Sequence, residues 1–312
     1  MAALPRLAVT LGDPRGIGPE IVAKTLRDGA VAGAAELLIV GPTGTEVDVT
    51  EAVGAWHAGG DATLAGRLAG AAVERAVHLA RTGVVDGLVT APLEKSALHQ
   101  GGYDYPGHTE MLAALTGAKV AMMLTSAESQ GSWPALRVVL ATTHIPLRDV
   151  PRALTHERIV EIAATTRAAL QTWFGIDEPR LALCALNPHA GDSGRFGTED
   201  DAVLRPAAAA AGIAGPFPAD TVFVRAIRGE FDAVIAPYHD VGMTAIKVAA
   251  FGHAVNVTLG LPFPRCAPDH GTALDIASRG IADASSMVGA VQLCADLARA
   301  HRARRAARGS PT

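Results

Sequence analysis

Apolar residues come in short unbroken runs along this chain, and helical stripes separate the runs. Leu7–Leu11, 36–41 (ELLIVG), Leu136–Ala141, Leu181–Leu186 and Ala233–Ala236 are too continuous for half-exposed strands. Such runs, bounded by turn residues, predict strands buried on both faces, as in a parallel sheet. VVDGLVT (84–90) predicts another. Between Asp61 and Arg81, residues Leu64, Leu68, Ala72, Val73, Ala76, Val77 and Ala80 fall on one helical stripe that ends at Gly83. Further helices are predicted from near Pro19, from His108, over about 155–173, over about 200–211 and after Asp220. Strand alternating with helix predicts an α/β fold in αβα layers.

The runs end on chemistry. Three of them close at His144, His189 and His239. In open α/β sheets ligands bind beyond the carboxyl ends of the strands, so these imidazoles are expected at one sheet edge. A single histidine after a strand is usually a hydrogen-bonded structural residue. Three neutral imidazoles with an open position suit a catalytic divalent cation, Zn²⁺ most obviously. Asp240 or Asp220 is a further ligand or an orienting partner. The densest stretch, 231–276, continues with Lys247, Asn256, Arg265, Asp269 and His270, separated by Gly-rich and Pro-rich turns.

Near the N-terminus, LAVTL runs into GDPRGIGPEI. Its glycine spacing is neither the dinucleotide fingerprint nor the P-loop. A loop before a helix N-terminus either cradles an anion or makes a tight turn, and spacing leaves both open. The strand at 84–90 leads into Thr90, Glu94 and Lys95. PGHTE puts His108 and Thr109 at a helix start, as a phosphate cradle or with Thr109 as a simple cap.

Composition narrows the class. The 312 residues have room for two domains, 19% are charged, and the net charge is −4. No basic field points to nucleic acid or an anionic membrane, which leaves small-molecule chemistry. Cys184, Cys266 and Cys294 lack CxxC spacing and fit buried thiols in a reducing cytoplasm. No charged-then-apolar leader precedes Leu7, and Ala207–Ala211 is too short to span a bilayer. A cytoplasmic enzyme is expected.

Taken together, GDPRGIGPEI, PGHTE, ATTHIPLRDV, LNPHAGDSGRFGTE, PADT, YHD, NVTLGLPF and DHGTALDIA resemble the 4-hydroxythreonine-4-phosphate dehydrogenase family of vitamin B6 biosynthesis. The resemblance implies a two-lobed fold like that of isopropylmalate and isocitrate dehydrogenases, with a cleft between the lobes. Residues 1–126 with 251–312 would form one lobe and 127–250 the other. It also implies a homodimer whose metal, Zn or alternatively Mg, Mn or Co, is held by His144, His189 and His239, one of them from the other subunit. Substrate contacts carry over to His108, Thr109, Lys247, Asn256 and Arg265. DHGTALDIASRGIAD is similar to the cofactor loop of those dehydrogenases. That likeness puts His270, Gly271, Thr272, Ala273 and Asp275 near the adenosine of NAD (or NADP).

The implied reaction is oxidation of 4-phosphooxy-L-threonine followed by decarboxylation, with Asp240 and Lys247 as proton-transfer candidates. Three features depart from the family pattern. Val241 stands where YHDQG has an amide, Arg15 stands in the glycine loop, and the 41–61 region is short. These bear on substrate choice. D-threonate or D-erythronate 4-phosphate is the alternative substrate, and a His₃ metal hydrolase needing no nucleotide is a remote one. PGHTE argues against the terephthalate dihydrodiol branch, and the retained ligands argue against a non-catalytic binder.

Overall fold

The computed structural model describes residues 3–126, 135–250 and 253–309. The boundaries expected at 126/127 and 250/251 touch residues outside that set. In chain order the elements are β1 (Arg6–Thr10), α1 (Gly18–Arg27), β2 (Glu36–Thr43), β3 (Glu51–Ala55), α2 (Ala62–Arg81), β4 (Gly87–Thr90), α3 (Lys95–Gln100) and α4 (His108–Thr116). They continue with β5 (Ala121–Ser126), β6 (Arg137–Leu140), α5 (Val150–Ala153), α6 (His156–Thr172), β7 (Leu181–Cys184), α7 (Arg205–Ala211) and β8 (Ala214–Phe217). The last are α8 (Ala219–Ile227), β9 (Ala233–Ala236), α9 (His239–Ala250), β10 (Ala254–Leu259), β11 (Arg265–Pro268) and α10 (Ser285–Gly309). The chain divides into two units, Met1–Lys119 with Val255–Thr312, and Val120–Ala254.

In the first unit the strands run β3-β2-β1-β4-β11-β10. All pair in parallel except β10, which is antiparallel to β11. Leu7, Ala8, Val9, Leu88 and Val89 are almost wholly buried, as strands covered on both faces require. Helix α2 lies on β1, β2 and β4 and carries α3 and α4, whereas α10 packs on β11, β4 and β1 beside α1. Asp61 starts α2 by accepting the Leu64 N–H at 2.8 Å; of the predicted stripe, Leu68, Ala72, Val73, Ala76 and Val77 are buried, and Leu64 and Ala80 are half-buried. The α2–α3 contact is backbone on backbone: a Cβ at Gly66 would stand 1.7 Å from the Ala97 carbonyl oxygen.

In the second unit the order is β5-β6-β9-β7-β8, with only the β5–β6 pair antiparallel. Val138, Leu140, Ala182, Cys184, Val234 and Ala236 point into a core with Val222, Phe223 and Ala226 of α8 and Ile246 and Ala250 of α9. The alternate residues Val139, Leu183 and Ile235 are equally buried. Period-two alternation with both sets apolar is why these strands read as continuous runs.

Two segments differ from expectation. The stretch after His239, read as turns, is the helix α9. The region near 200–211 opens with a π-helical turn, Asp200–Leu204, before α7. The tail from Arg299 continues α10 as far as Gly309, and Ser310–Thr312 lie outside the described residues. Among the described residues no helix is long and apolar enough to cross a membrane.

Gly66→Ala is expected to force α2 and α3 apart and to cost about 1–3 kcal/mol of stability. Urea denaturation reads this, and an unchanged midpoint would contradict the close α2–α3 approach.

Candidate active site

The predicted residues fall into clusters within each unit. In the second unit, parallel β6 and β9 end side by side, with Leu140 opposite Ala236. The pairing extends past the strands. The Ala141 N–H donates to the Ala236 carbonyl at 2.8 Å, and the buried Thr142 hydroxyl donates to the Pro237 carbonyl at 2.8 Å. These bonds fix where the chain turns, and the turns present His144 and His239. Their ring centres lie 5.4 Å apart. Imidazole nitrogens bind zinc at about 2 Å, so two rings sharing an ion have centres roughly 5 Å apart. The pair therefore fits a divalent cation. Asp240 Oδ1 lies 2.7 Å from His239 Nδ1. With a carboxylate as acceptor, the ring donates from Nδ1 and keeps Nε2 as the free lone pair, the usual way of orienting a metal-binding imidazole. His144 is held at φ 47°, a left-handed conformation that costs a non-glycine residue about 1–3 kcal/mol and recurs at functional sites.

His189 stands apart. The N–H groups of Leu186 and Asn187 donate to the two carboxylate oxygens of buried Asp200 at 2.8 and 3.0 Å. The Asn187 amide donates to Glu199 and Asp200 at 2.9 and 3.0 Å. This anchoring turns the loop aside, and the His189 ring, at φ 53°, tilts over Phe196 with centres 6.4 Å apart. It lines one pocket with Asp220, Tyr238 and Val241, while His144 and His239 line another with Tyr238 and Asp240. Among the described residues no group of three or more His, Cys, Asp or Glu side chains is placed to hold one ion. Of the three histidines, His144 and His239 come together within this chain and His189 lines a separate pocket. Lys247 is exposed on α9, eight residues beyond His239.

In the first unit the chemistry is that of an enclosed cation. Arg265 is 2% exposed. Its Nη1 donates to Thr258 Oγ1 at 3.0 Å and its Nη2 to Thr90 Oγ1. Its Nε is enclosed with no partner, as are His108 Nε2, Asn256 Oδ1 and Thr10 Oγ1. No carboxylate among the described residues pairs with the guanidinium. Burial pushes the Arg265 pKa down to about 10. The His108 imidazole is held well below its ordinary range, first by burial and then by the Arg265 charge. Helix α4 starts at Gly107 with no side-chain cap, so Thr109, on the first turn, is not the cap. Its hydroxyl and the first N–H groups of the helix remain available to an anion. Of Arg265's hydroxyl partners, Thr258 gave no signal in sequence, since only the β10–β11 register brings it there.

The cofactor-loop residues are in the same unit. His270 Nδ1 lies 3.1 Å from the Gly271 carbonyl, and its Nε2 is enclosed without a partner. The Ile17 N–H donates to the Thr272 carbonyl at 2.9 Å. A Cβ at Gly16 would meet that same oxygen at 2.8 Å. The glycine loop is therefore a tight turn packed against 271–275, and Ala273 there has φ 43°. Buried Glu20 accepts N–H groups of Gly280 and Ala282 at 3.3 and 2.8 Å, and Lys24 bridges back to it at 2.8 Å. Asp275 is exposed. A pocket beside this loop is lined by Pro14, Gly16, Glu46, Trp56 and Ser278. The enclosed, unpartnered Nε2 of His270 is a polar atom that a bound cofactor would satisfy. Glu20 and Lys24 were not anticipated as the clasp of the loop, because their partners lie some 260 positions away.

Comparison with known proteins adds the following. The profile of the family described as "Pyridoxal phosphate biosynthetic protein PdxA" matches residues 21–294. The chain is 41% identical to a 4-hydroxythreonine-4-phosphate dehydrogenase of Stenotrophomonas maltophilia, over 95% of this chain and 98% of that protein. It is 39% identical to a Bradyrhizobium diazoefficiens protein provisionally named D-threonate 4-phosphate dehydrogenase, over 94% of this chain and 96% of that one. The crystal structure of 4-hydroxythreonine-4-phosphate dehydrogenase from Klebsiella pneumoniae matches with a TM-score of 0.83 at 36% identity, over 95% of this chain and 99% of that one.

His108, half-buried with its Nε2 enclosed, makes a pH prediction. Its folded pKa lies below the unfolded value of about 6.5, so the unfolded chain takes up the proton first. Stability should fall as pH drops below about 6.5, by up to about 1.4 kcal/mol per pH unit from this group. His108→Asn should flatten the slope of unfolding free energy between about pH 5 and 7. An unaltered slope would contradict an enclosed neutral imidazole.

Proposed function

The chain belongs to the PdxA family of pyridoxal phosphate biosynthetic proteins, whose members are dehydrogenases, and on that premise we propose that it oxidises and decarboxylates 4-phosphooxy-L-threonine. The products are 3-amino-2-oxopropyl phosphate and CO₂. The observation that carries the reading is Arg265, a buried guanidinium with no carboxylate partner among the described residues, close to an uncapped helix start. A charge enclosed in this way costs several kcal/mol unless a counterion completes it. A phosphate or carboxylate of the substrate is that counterion.

Arg265, His108, Thr109 and the first turn of α4 hold the anionic end of the substrate, with Asn256 and Lys247 supplying further polar contacts. Binding the non-reacting phosphate orients C3 and contributes to rate through positioning. A divalent ion, zinc or otherwise magnesium, manganese or cobalt, supplies Lewis acidity toward the C3 hydroxyl and toward the enolate left when CO₂ departs. His144 and His239 are its ligands, Asp240 orients His239, and His189 comes from the second subunit of a homodimer. NAD, or NADP, held by His270, Gly271, Thr272, Ala273 and Asp275, supplies the hydride acceptor. Two protons must move, one off the C3 hydroxyl and one onto C2 after decarboxylation. Asp240 and Lys247 are assigned to them.

A second reading keeps the chemistry and changes the substrate. Apolar Val241 lines the His189 pocket where the resemblance calls for an amide. Loss of that amide favours D-threonate or D-erythronate 4-phosphate, in which hydroxyl replaces the amino group. The Bradyrhizobium relative shows that about the same identity accompanies that name as well.

NADH formation with 4-phosphooxy-L-threonine should require a divalent metal and cease with chelator. Signal only with the two sugar-acid phosphates would select the second reading, and silence with all three would overturn both. His189→Ala and His239→Ala should each be folded but inactive. Mixed and allowed to exchange subunits, they should recover part of the activity, because some sites then draw their ligands from two intact halves. No recovery would contradict a shared metal site.

A further inference from the structure

Lys95 is a chemistry-bearing residue that the proposed reaction leaves unused. It is exposed at the start of α3 and, among the described residues, has no hydrogen bond or ion pair. Its Cε comes within 3.6 Å of the position a Cβ would take on Gly107. Gly107 is the residue from which α4 starts, without a side-chain cap. The next residue, His108, has its Nε2 enclosed and unpartnered and feels the charge of Arg265. Lys95, the open turn of α4 and the buried guanidinium are therefore one neighbourhood of the first unit.

The neighbouring carboxylates leave the ammonium available. Glu94 caps α3, accepting the N–H groups of Ser96 and Ala97 at 3.0 and 2.8 Å and the Ser96 hydroxyl at 2.7 Å. Arg15 Nη2 reaches the same carboxylate at 3.4 Å while pairing with Asp13 at 2.7 Å. Arg15, one of the departures from the family pattern, is thus the cation that pairs with Glu94. Glu110 borders the same space, with Oε2 3.5 Å from the Gly107 Cβ position. It is exposed and makes no ion pair with Lys95. A phosphate monoester carries close to two negative charges at neutral pH; in the first unit Arg265 supplies one positive charge, Lys247 belonging to the second unit.

We propose that Lys95 is a substrate-binding residue that supplies the second cation for the phosphate and so selects dianionic phosphate esters over carboxylates of similar size. The proposal rests on the phosphorylated-substrate reading above. In steady-state kinetics, Lys95→Met should raise KM for the phosphorylated substrate roughly tenfold and leave kcat within about threefold, the signature of lost binding shared by ground and transition states. Lys95→Arg should stay within about threefold of the parent KM, and Glu110→Gln should lower KM. Calorimetric titration with inorganic phosphate separates this from the activity. If the unaltered protein turns over none of the four-carbon phosphates but binds phosphate, and Lys95→Met weakens that binding about tenfold, the functional reading fails and the anion site stands. If Lys95→Met leaves both KM and phosphate affinity unchanged, the proposal is overturned whatever the substrate proves to be.

Discussion

A guanidinium enclosed by protein, with no carboxylate beside it among the described residues, is the constraint on which the first unit depends. Arg265 lies on β11, between β4 and β10, where its hydrogen-bond partners are the hydroxyls of Thr258 and Thr90. Burying a charge without an opposite charge opposes folding, and here it depresses the arginine pKa to about 10. Much of the surrounding arrangement follows. His108 is kept neutral and, with Asn256 and Thr10, waits with an unpartnered polar atom, and α4 begins without a side-chain cap. In a native structure such enclosed polar atoms call for an explanation. A bound anion provides one for the whole group.

The second unit follows the opposite principle, with lone pairs in place of positive charge. Two parallel strands end in register, short hydrogen bonds carry the pairing into the turns, and His144 and His239 emerge at a spacing suited to one cation. The strain stored at φ 47° and 53° in His144 and His189 is spent where backbone geometry aims a ligand. Asp200, fully buried, performs the corresponding task for the His189 loop by taking both N–H groups of Leu186 and Asn187.

The strands buried on both faces were legible, because a continuous apolar run is what parallel pairing between helix layers demands. Strands β10 and β11 were not, since Asn256 and Arg265 interrupt the apolar signal, and those interruptions are the functional residues. Helix α9 was hidden by the polar cluster at its start, where ligand chemistry outweighs helical periodicity. The three histidines were legible as strand-end residues. That one of them turns aside was not, since it depends on an Asn187–Asp200 contact across 13 positions. That hydroxyls and no carboxylate among the described residues meet this arginine could not be read at all, because what surrounds a side chain inside a fold has no sequence signature. Motif likeness singled out Arg265, and the packing around it gives the physical reason.

The most direct test of this account is the stability of the protein and of its Arg265→Met variant, measured by denaturation as inorganic phosphate is raised. The account predicts that phosphate stabilises the parent, by about 2.7 kcal/mol at a hundredfold excess over Kd. The variant should lose that response and be at least as stable as the parent without phosphate, since an apolar side chain of similar length removes the enclosed charge. A variant that is markedly less stable and still gains from phosphate as the parent does would contradict it. Arg265 would then be a structural residue satisfied by its threonines, and the anion would bind elsewhere.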